Sequence, residues 1–355
     1  MATTNPRRND PLLLGADEQG AWPLPWLVEP MKRAKALQKA HALLLVGQAG
    51  VGQLELAGLL AQAHLCEDPT PRGPCGRCAA CHLVRRRAHP DLLAVVPEAW
   101  RVRLNWLSED EGGSKSDAKP SKDIRIEQVR QAIDWSHQTS GRGRGKVLLL
   151  HPADALNGPS ANALLKTLEE PAPGLKLLLT STDAERLLPT IRSRCQRVQL
   201  AAPPSDQAVA WLQAQGVADA PLLLALAGGS PLEALDLAAE GFESRLLAEL
   251  PMLVAAGEAA PFVGRPLPRV IDLLLKLAHD LQARAAGGAP RFFVASRWPA
   301  APDIGRLVDW QKALLRAARH DEHPWNAALL IESLVTQAEA LWAETGTAPA
   351  LHSAR

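Results

Sequence analysis

Neither sign of charge prevails in this chain. Its 39 lysines and arginines stand against 38 aspartates and glutamates, so bulk charge does not mark a nucleic-acid binder. Local basic clusters do occur, at Arg85-Arg86-Arg87 and at Arg142, Arg144 and Lys146; each is read first as a solvated face and only second as a DNA contact. Apolar runs long enough to span a bilayer are missing, and no secretory signal is visible. These absences predict a soluble cytoplasmic protein with no membrane partner. Cysteine is scarce, at five in 355 residues, and a cytosolic chain keeps its thiols reduced, which counts against a disulfide framework. With 47% hydrophobic residues the chain is long enough for two or three domains.

What cysteine there is lies close together. Cys66-x₈-Cys75-x₂-Cys78-x₂-Cys81 places four thiols within sixteen residues, and Gly73, Pro74 and Gly76 supply tight turns that let them converge. Disulfides and isolated buried cysteines are the competing readings, and the two adjacent x₂ spacings favour a metal. The expected ion is Zn²⁺, in a structural role, because four thiolates leave no open position for a substrate. His64, His82 and His89 are nearby and are taken as surface residues or as neighbours of the ligands.

A second pattern lacks its chemistry. Gly47-Gln48-Ala49-Gly50-Val51-Gly52-Gln53-Leu54 has the skeleton of a phosphate-binding loop, with Gln53 and Leu54 where Lys and Ser or Thr belong. Such a loop turns backbone N–H groups to the phosphates, its Lys reaches the terminal ones and its hydroxyl ligates Mg²⁺. Gln53 brings no charge and Leu54 no metal ligand. The setting suits the motif: Ala42 to Val46 reads as a buried strand and Leu54 to His64 as an apolar-rich helix. Lys146 to Leu150, another strand-length run, would end in Asp-Glu in an active ATPase and here ends in His151-Pro152.

The remaining apolar segments complete an alternating pattern. A helix is expected over Ser160 to Glu170, with Ala161, Leu164, Leu165 and Leu168 on one face, Ser160 as candidate N-cap and Pro171 as its stop. Strands are expected at Leu175 to Thr180 and at Cys195 to Leu200. This is a parallel sheet covered on both faces.

With Asn162-Ala163-Leu164-Leu165-Lys166-Thr167-Leu168-Glu169-Glu170-Pro171, Ser193-Arg194-Cys195 and the four cysteines, the chain resembles the bacterial DNA polymerase III clamp-loader subunits, members of the AAA+ class. The resemblance covers about the first 235 residues by motif and the rest by helical character. It implies an α/β P-loop ATPase-like (AAA+) domain with a zinc module, a helical lid and an all-α collar domain. It departs from the motor subunit, gamma or tau, at each ATP-handling position. Gly229-Ser230-Pro231-Leu232-Glu233-Ala234-Leu235 carries Leu232 where the motor's sensor arginine would sit. Losing cation, metal ligands and sensor together leaves little to stabilise a transferring phosphoryl group. The loop formed by Gly47, Gly50, Gly52, Gln53 and Leu54 is therefore read as vestigial. No ATP hydrolysis is expected, and ATP binding, left open by the loop's N–H groups, is the less expected outcome.

The resemblance further implies a non-hydrolysing member of a hetero-pentameric ring with gamma/tau and delta subunits, acting on the sliding clamp and primed DNA through the complex. The chain would serve a DNA-directed DNA polymerase, a nucleotidyltransferase, with neither polymerase nor ATPase activity of its own. Arg194, with Ser193 and Cys195, would act in trans as an arginine finger on a neighbour's nucleotide. Two other readings compete: an active ATPase motor with unusual ligands, and a zinc-dependent nucleic-acid-binding module.

Domain boundaries follow the punctuation. Residues 1–202 form the α/β domain, with the zinc module at about 66–81 and a mobile insertion at about 98–122; residues 1 to about 20 are expected to be poorly ordered. Ala201-Ala202-Pro203-Pro204-Ser205 marks a boundary, with Ser205 capping a helix that Gly216 ends. The lid spans 203–243, with apolar segments at Pro221 to Ala227 and Pro231 to Ala239, and the collar spans 244–345. In the collar Ile304, Leu307, Val308, Gln311, Leu314, Leu315 and Ala318 make a helical stripe. Loops fall at Gly287 to Pro290 and Trp298 to Pro302, and Trp310, Trp325 and Trp342 are assigned to the core ahead of an interface.

Overall fold

The computed structural model describes residues 12–37, 39–107, 120–319 and 326–342. The chain divides into two compact units, Met1–Pro203 and Pro204–Arg355. In the first unit five parallel strands, β1 (Ala42–Val46), β2 (Leu92–Val95), β3 (Lys146–Leu150), β4 (Leu175–Ser181) and β5 (Gln196–Gln199), lie in the order β2-β3-β4-β1-β5. The helices of this unit are α1 (Val28–Ala36), α2 (Gln53–Leu65), α3 (Ala79–Arg85), α4 (Glu98–Arg103), α5 (Ile126–Ser136), α6 (Gly158–Glu169) and α7 (Pro189–Arg192).

β1 and β3 are buried at every position, as strands covered on both faces must be. Leu44, Val46, Leu148, Leu150, Leu177 and Leu179 form one core with Val129 and Ala132 of α5 and Leu164 and Leu168 of α6. The alternate residues Leu43, Leu45, Leu149 and Leu178 are equally buried, and α2 packs on β3 and β4.

The differences from expectation are local. β2 joins the edge of the sheet as a fifth strand; its four residues, between Pro90 and Pro97, are too few to show a period. α6 starts two residues earlier than read, with Asn157 as its N-cap: the Asn157 side chain accepts from the Ser160 N–H. Ser160 is instead buried and donates its hydroxyl to the Ile124 carbonyl at 2.8 Å. Ser205 is the first residue of its helix, after Pro204, and does not cap it with its side chain. Residues 12–20, expected to be poorly ordered, include the buried Leu14 and Ala16. Within the expected insertion Glu98–Arg103 is helical and Trp106 is buried, its indole donating to the Leu12 carbonyl. The rest of that reading, over 108–119, lies outside the described residues, as do residues 1–11.

The second unit is helical: α8 (Ser205–Ala214), α9 (Ala220–Leu226), α10 (Pro231–Ala239), α11 (Ser244–Ala255), α12 (Leu267–Ala285), α13 (Ile304–Arg319) and α14 (Ala327–Glu339). Gly216, at φ +82°, follows α8 in the left-handed conformation that ends a helix. The buried residues from Ala208 to Trp342 form one cluster. α12 supplies its long apolar side through Val270, Ile271, Leu274, Leu277 and Leu281. Asp280, fully buried in α12, accepts the backbone N–H groups of Arg291, Phe292 and Phe293 at 2.8 to 2.9 Å and so pins the following loop.

α13 buries Leu307, Trp310 and Leu314, whereas Ile304, Val308 and Leu315 of the expected stripe are exposed. The stripe spans two neighbouring rows of the helix, and Trp310 turns only one of them inward. Gln311, its polar interruption, accepts from Gln282 at 3.0 Å. Trp310 and Trp342 are core residues, with indoles donating to Leu334 and Ala300; Trp325 lies outside the described residues. Among the described residues no single helix is long and apolar enough to cross a membrane.

Candidate functional site

The glycine loop follows β1 and opens α2, at the carboxyl edge of the sheet where α/β folds bind ligands. Gly50 and Gly52 take φ of +79° and +105°, a region that favours glycine, and a Cβ on Gly52 would lie 2.5 Å from the Leu24 side chain. The backbone shape of a phosphate loop is present. Gln53 fills the cation's place: it is buried, and its side-chain amide donates to the Gly47 carbonyl at 2.5 Å and the Gln48 carbonyl at 3.0 Å. Leu54 is buried beside it. From upstream, Trp26 donates its indole N–H to the Val51 carbonyl at 2.9 Å, so the segment before α1 clasps the loop. That clasp carries no motif, and sequence reading passed over it.

At the end of β3 stands His151 where an ATPase places its metal carboxylate. Its Nδ1 lies 2.7 Å from the Thr180 hydroxyl at the end of β4, and its ring meets Trp100 of α4 edge-on at 4.4 Å. Burial, helped by the Arg103 charge, lowers its pKa to about 3, so the ring is neutral at pH 7. Asp154, the nearest acid downstream in sequence, accepts from the Thr182 hydroxyl at 2.7 Å. Leu232 lies in the first turn of α10, in the second unit.

The four cysteines converge as their spacing predicts. Their sulfurs all lie within 4.8 Å of one another, and the Cys66–Cys78 and Cys75–Cys81 pairs are 3.9 and 3.8 Å apart. A tetrahedral ion with metal–sulfur bonds of about 2.3 Å requires sulfurs about 3.8 Å apart, whereas a disulfide requires about 2.05 Å. Backbone N–H groups aim at the sulfurs: Cys75 at Cys66 (3.3 Å), Cys78 at Cys75 (3.3 Å) and Cys81 at Cys78 (3.4 Å), as thiolate ligands need. This donor set fits a four-thiolate metal site. His64, His82 and His89 stand outside the cluster. Cys195 lies elsewhere, buried, its thiol pushed up to about 12 by that burial.

Arg194 sits between α7 and β5. Since β5 runs parallel to β1, this is the amino edge of the sheet, opposite the glycine loop. Its guanidinium pairs with Glu169 at 2.5 Å and donates to the Thr190 carbonyl and the Ser193 hydroxyl. The basic clusters are largely engaged within the unit: Arg85 with Glu18, Arg87 over Trp106, Arg142 and Arg144 with Glu67, and buried Lys146 with Trp135. Their partners favour the structural reading of these charges over DNA contact.

A parallel sheet with a glycine loop leading into a helix is the framework of a P-loop ATPase domain, here without cation or metal carboxylate. The family model described as "DNA polymerase III, delta subunit" matches residues 28–204. The chain is 41% identical over 209 residues to DNA polymerase III subunit delta' of Pseudomonas aeruginosa, covering 58% of this chain and 57% of that one. It is 33% identical over 220 residues to the Escherichia coli delta' subunit, covering 60% of each. The Escherichia coli tau subunit is 34% identical over 167 residues, 47% of this chain and 22% of that one. Through its α/β unit the chain is similar to DNA polymerase III subunits, the delta' and tau subunits among them. The matches span about three fifths of the length of these delta' relatives.

Proposed function

We propose that this chain is a non-hydrolysing subunit of a bacterial DNA polymerase III clamp loader. In that role it would join gamma/tau and delta subunits in a hetero-pentameric ring and help place the sliding clamp on primed DNA in the cytoplasm. The observation that carries the reading is Gln53. In a chain similar to delta' subunits, a neutral amide holds the cation's place and is bonded to the loop's own carbonyls. His151 at the end of β3 supports it further, being neutral and bonded to Thr180.

The four thiols are assigned to one structural Zn²⁺, held by Cys66, Cys75, Cys78 and Cys81, which supplies folding energy and no reaction step. Residues 203–243 are assigned as lid and 244–345 as collar; exposed Ile304, Val308 and Leu315 on α13 support a collar packed against other subunits. Arg194 is assigned to a neighbour's nucleotide. A guanidinium offers several donors in a planar fork and is always charged, which suits phosphate oxygens. The chain lacks the cation and the metal carboxylate that a working site of its own needs, and carries at Arg194 a group suited to another's.

Two measurements test the proposal. The purified chain should turn over no ATP, and Gln53→Lys should create none because the metal ligands stay absent. Co-expressed with gamma/tau and delta subunits, it should purify in their assembly. Turnover that disappears on altering the loop would move the chain to the motor class. Failure to enter the assembly would leave only a free zinc-bearing module.

A further inference from the structure

Gln62 is fully buried in α2 and makes three hydrogen bonds with the segment Leu12–Gly20 and the cysteine module. Its Oε1 accepts from the Ala16 N–H at 2.7 Å, and its Nε2 donates to the carbonyls of Ala16 and Cys81, each at 3.2 Å. One side chain thus joins the upstream segment to a cysteine of the cluster.

The other attachments of that segment fall largely on the same module. The Leu14 N–H donates to the Arg85 carbonyl at 3.1 Å, and Glu18 pairs with Arg85 at 3.3 Å. A Cβ on Gly76 would lie 2.1 Å from the Asp17 carbonyl, so only glycine admits this approach. At its start, the segment leads away from the module: the Leu12 N–H donates to the Leu104 carbonyl at 3.0 Å, and the Leu12 carbonyl accepts from the Trp106 indole at 2.9 Å.

Cys78 caps α3 and Cys81 lies in its first turn. A seven-residue helix is too short to hold itself, so the position of the Cys81 and Arg85 carbonyls depends on what holds the sulfurs together. We propose that a metal at the four cysteines fastens Leu12–Gly20 to the α/β unit through Gln62, so that metal occupancy controls the order of this segment and of Trp106 beyond it. The inference rests on the zinc reading above and goes beyond it, assigning the metal a task outside its own loop.

Hydrogen exchange of the full chain, read by mass spectrometry beside metal analysis, tests this. Stripping zinc with a chelator should speed exchange at Leu14 and Ala16 by about tenfold or more, with β1 and β3 little changed. Gln62→Met, similar in volume and without hydrogen bonds, should keep one zinc and still speed exchange at Ala16. Zinc lost with exchange at Leu14 and Ala16 unchanged overturns the inference alone. A chain isolated without zinc overturns the metal reading and this inference with it. Should stripping loosen the sheet as well, Gln62→Met decides: zinc retained with unchanged Ala16 exchange overturns the proposal.

Discussion

A single helix, α2, begins at the glycine loop and ends at Cys66, and the regions at its two ends have fared differently. At the amino end the loop satisfies itself. Gln53 bonds its carbonyls, Trp26 bonds Val51, and Leu24 and Leu54 supply apolar cover. At the carboxyl end four sulfurs have been brought together, an arrangement that gains most from a cation among them. A glycine loop of this shape can hold its backbone without a bound phosphate, because a neutral amide and apolar packing satisfy it. A four-thiol site cannot be satisfied in this way, since thiols are weak donors and acceptors toward one another.

Removing one sulfur should break the cysteine end and spare the loop. Cys81→Ser should abolish stoichiometric zinc and destabilise the module by several kcal/mol, because binding energy at a structural site is folding energy. Metal analysis and denaturant titration would show both effects. Cys195→Ser should leave zinc at one per chain. If Cys81→Ser retained the metal, the two ends of α2 would differ less than their geometry states.

A pH titration sharpens the loop end. The folded-state pKa of His151 is about 3, below the ordinary value near 6.5, so the unfolded chain takes up the extra proton. Stability from this burial is therefore complete above about pH 6.5 and is lost as pH falls toward 3. Between pH 6 and pH 4 the loss should be roughly 2 to 3 kcal/mol. His151→Gln, which cannot titrate, should flatten that part of the acid curve in denaturant experiments. An unchanged slope would mean that the buried ring is not the group taking up the proton.

Both ends of α2 could be read in the sequence, for different reasons. The cysteines announce themselves by spacing, and the loop by glycines that its left-handed turns require. What could not be read were partners far along the chain. Nothing near Gln62 points to Ala16 or Cys81, and nothing near Leu24 or Trp26 points to the loop. The basic clusters looked like solvated faces because Glu18, Glu67, Trp106 and Trp135 become their neighbours only after folding. β2 escaped because four residues carry no usable period. On α13 the apolar stripe was visible, but which row faces the core depends on Trp310, whose burial only tertiary packing decides.

The smallest expected effect on the chain itself belongs to Arg194→Ala. Its guanidinium is about one-third exposed and its partner Glu169 about half exposed, so losing the pair should cost this chain less than about 1 kcal/mol. For the proposed trans role the same guanidinium must leave Glu169 for a neighbour's phosphates, whose greater negative charge can draw it away. Arginine fingers are typically worth about 10³ to 10⁵ in rate. A loader with several motor sites would lose only one of them, so DNA-stimulated ATPase activity of the assembly should fall partially. Glu169→Gln separates the two uses of the arginine: it removes the internal partner and leaves the guanidinium, so it should not slow the assembly. Equal slowing by Arg194→Ala and Glu169→Gln would instead assign Arg194 to holding α6 against the foot of β5. An assembly that forms normally with Arg194→Ala and loads clamps at the unmodified rate would end the trans assignment.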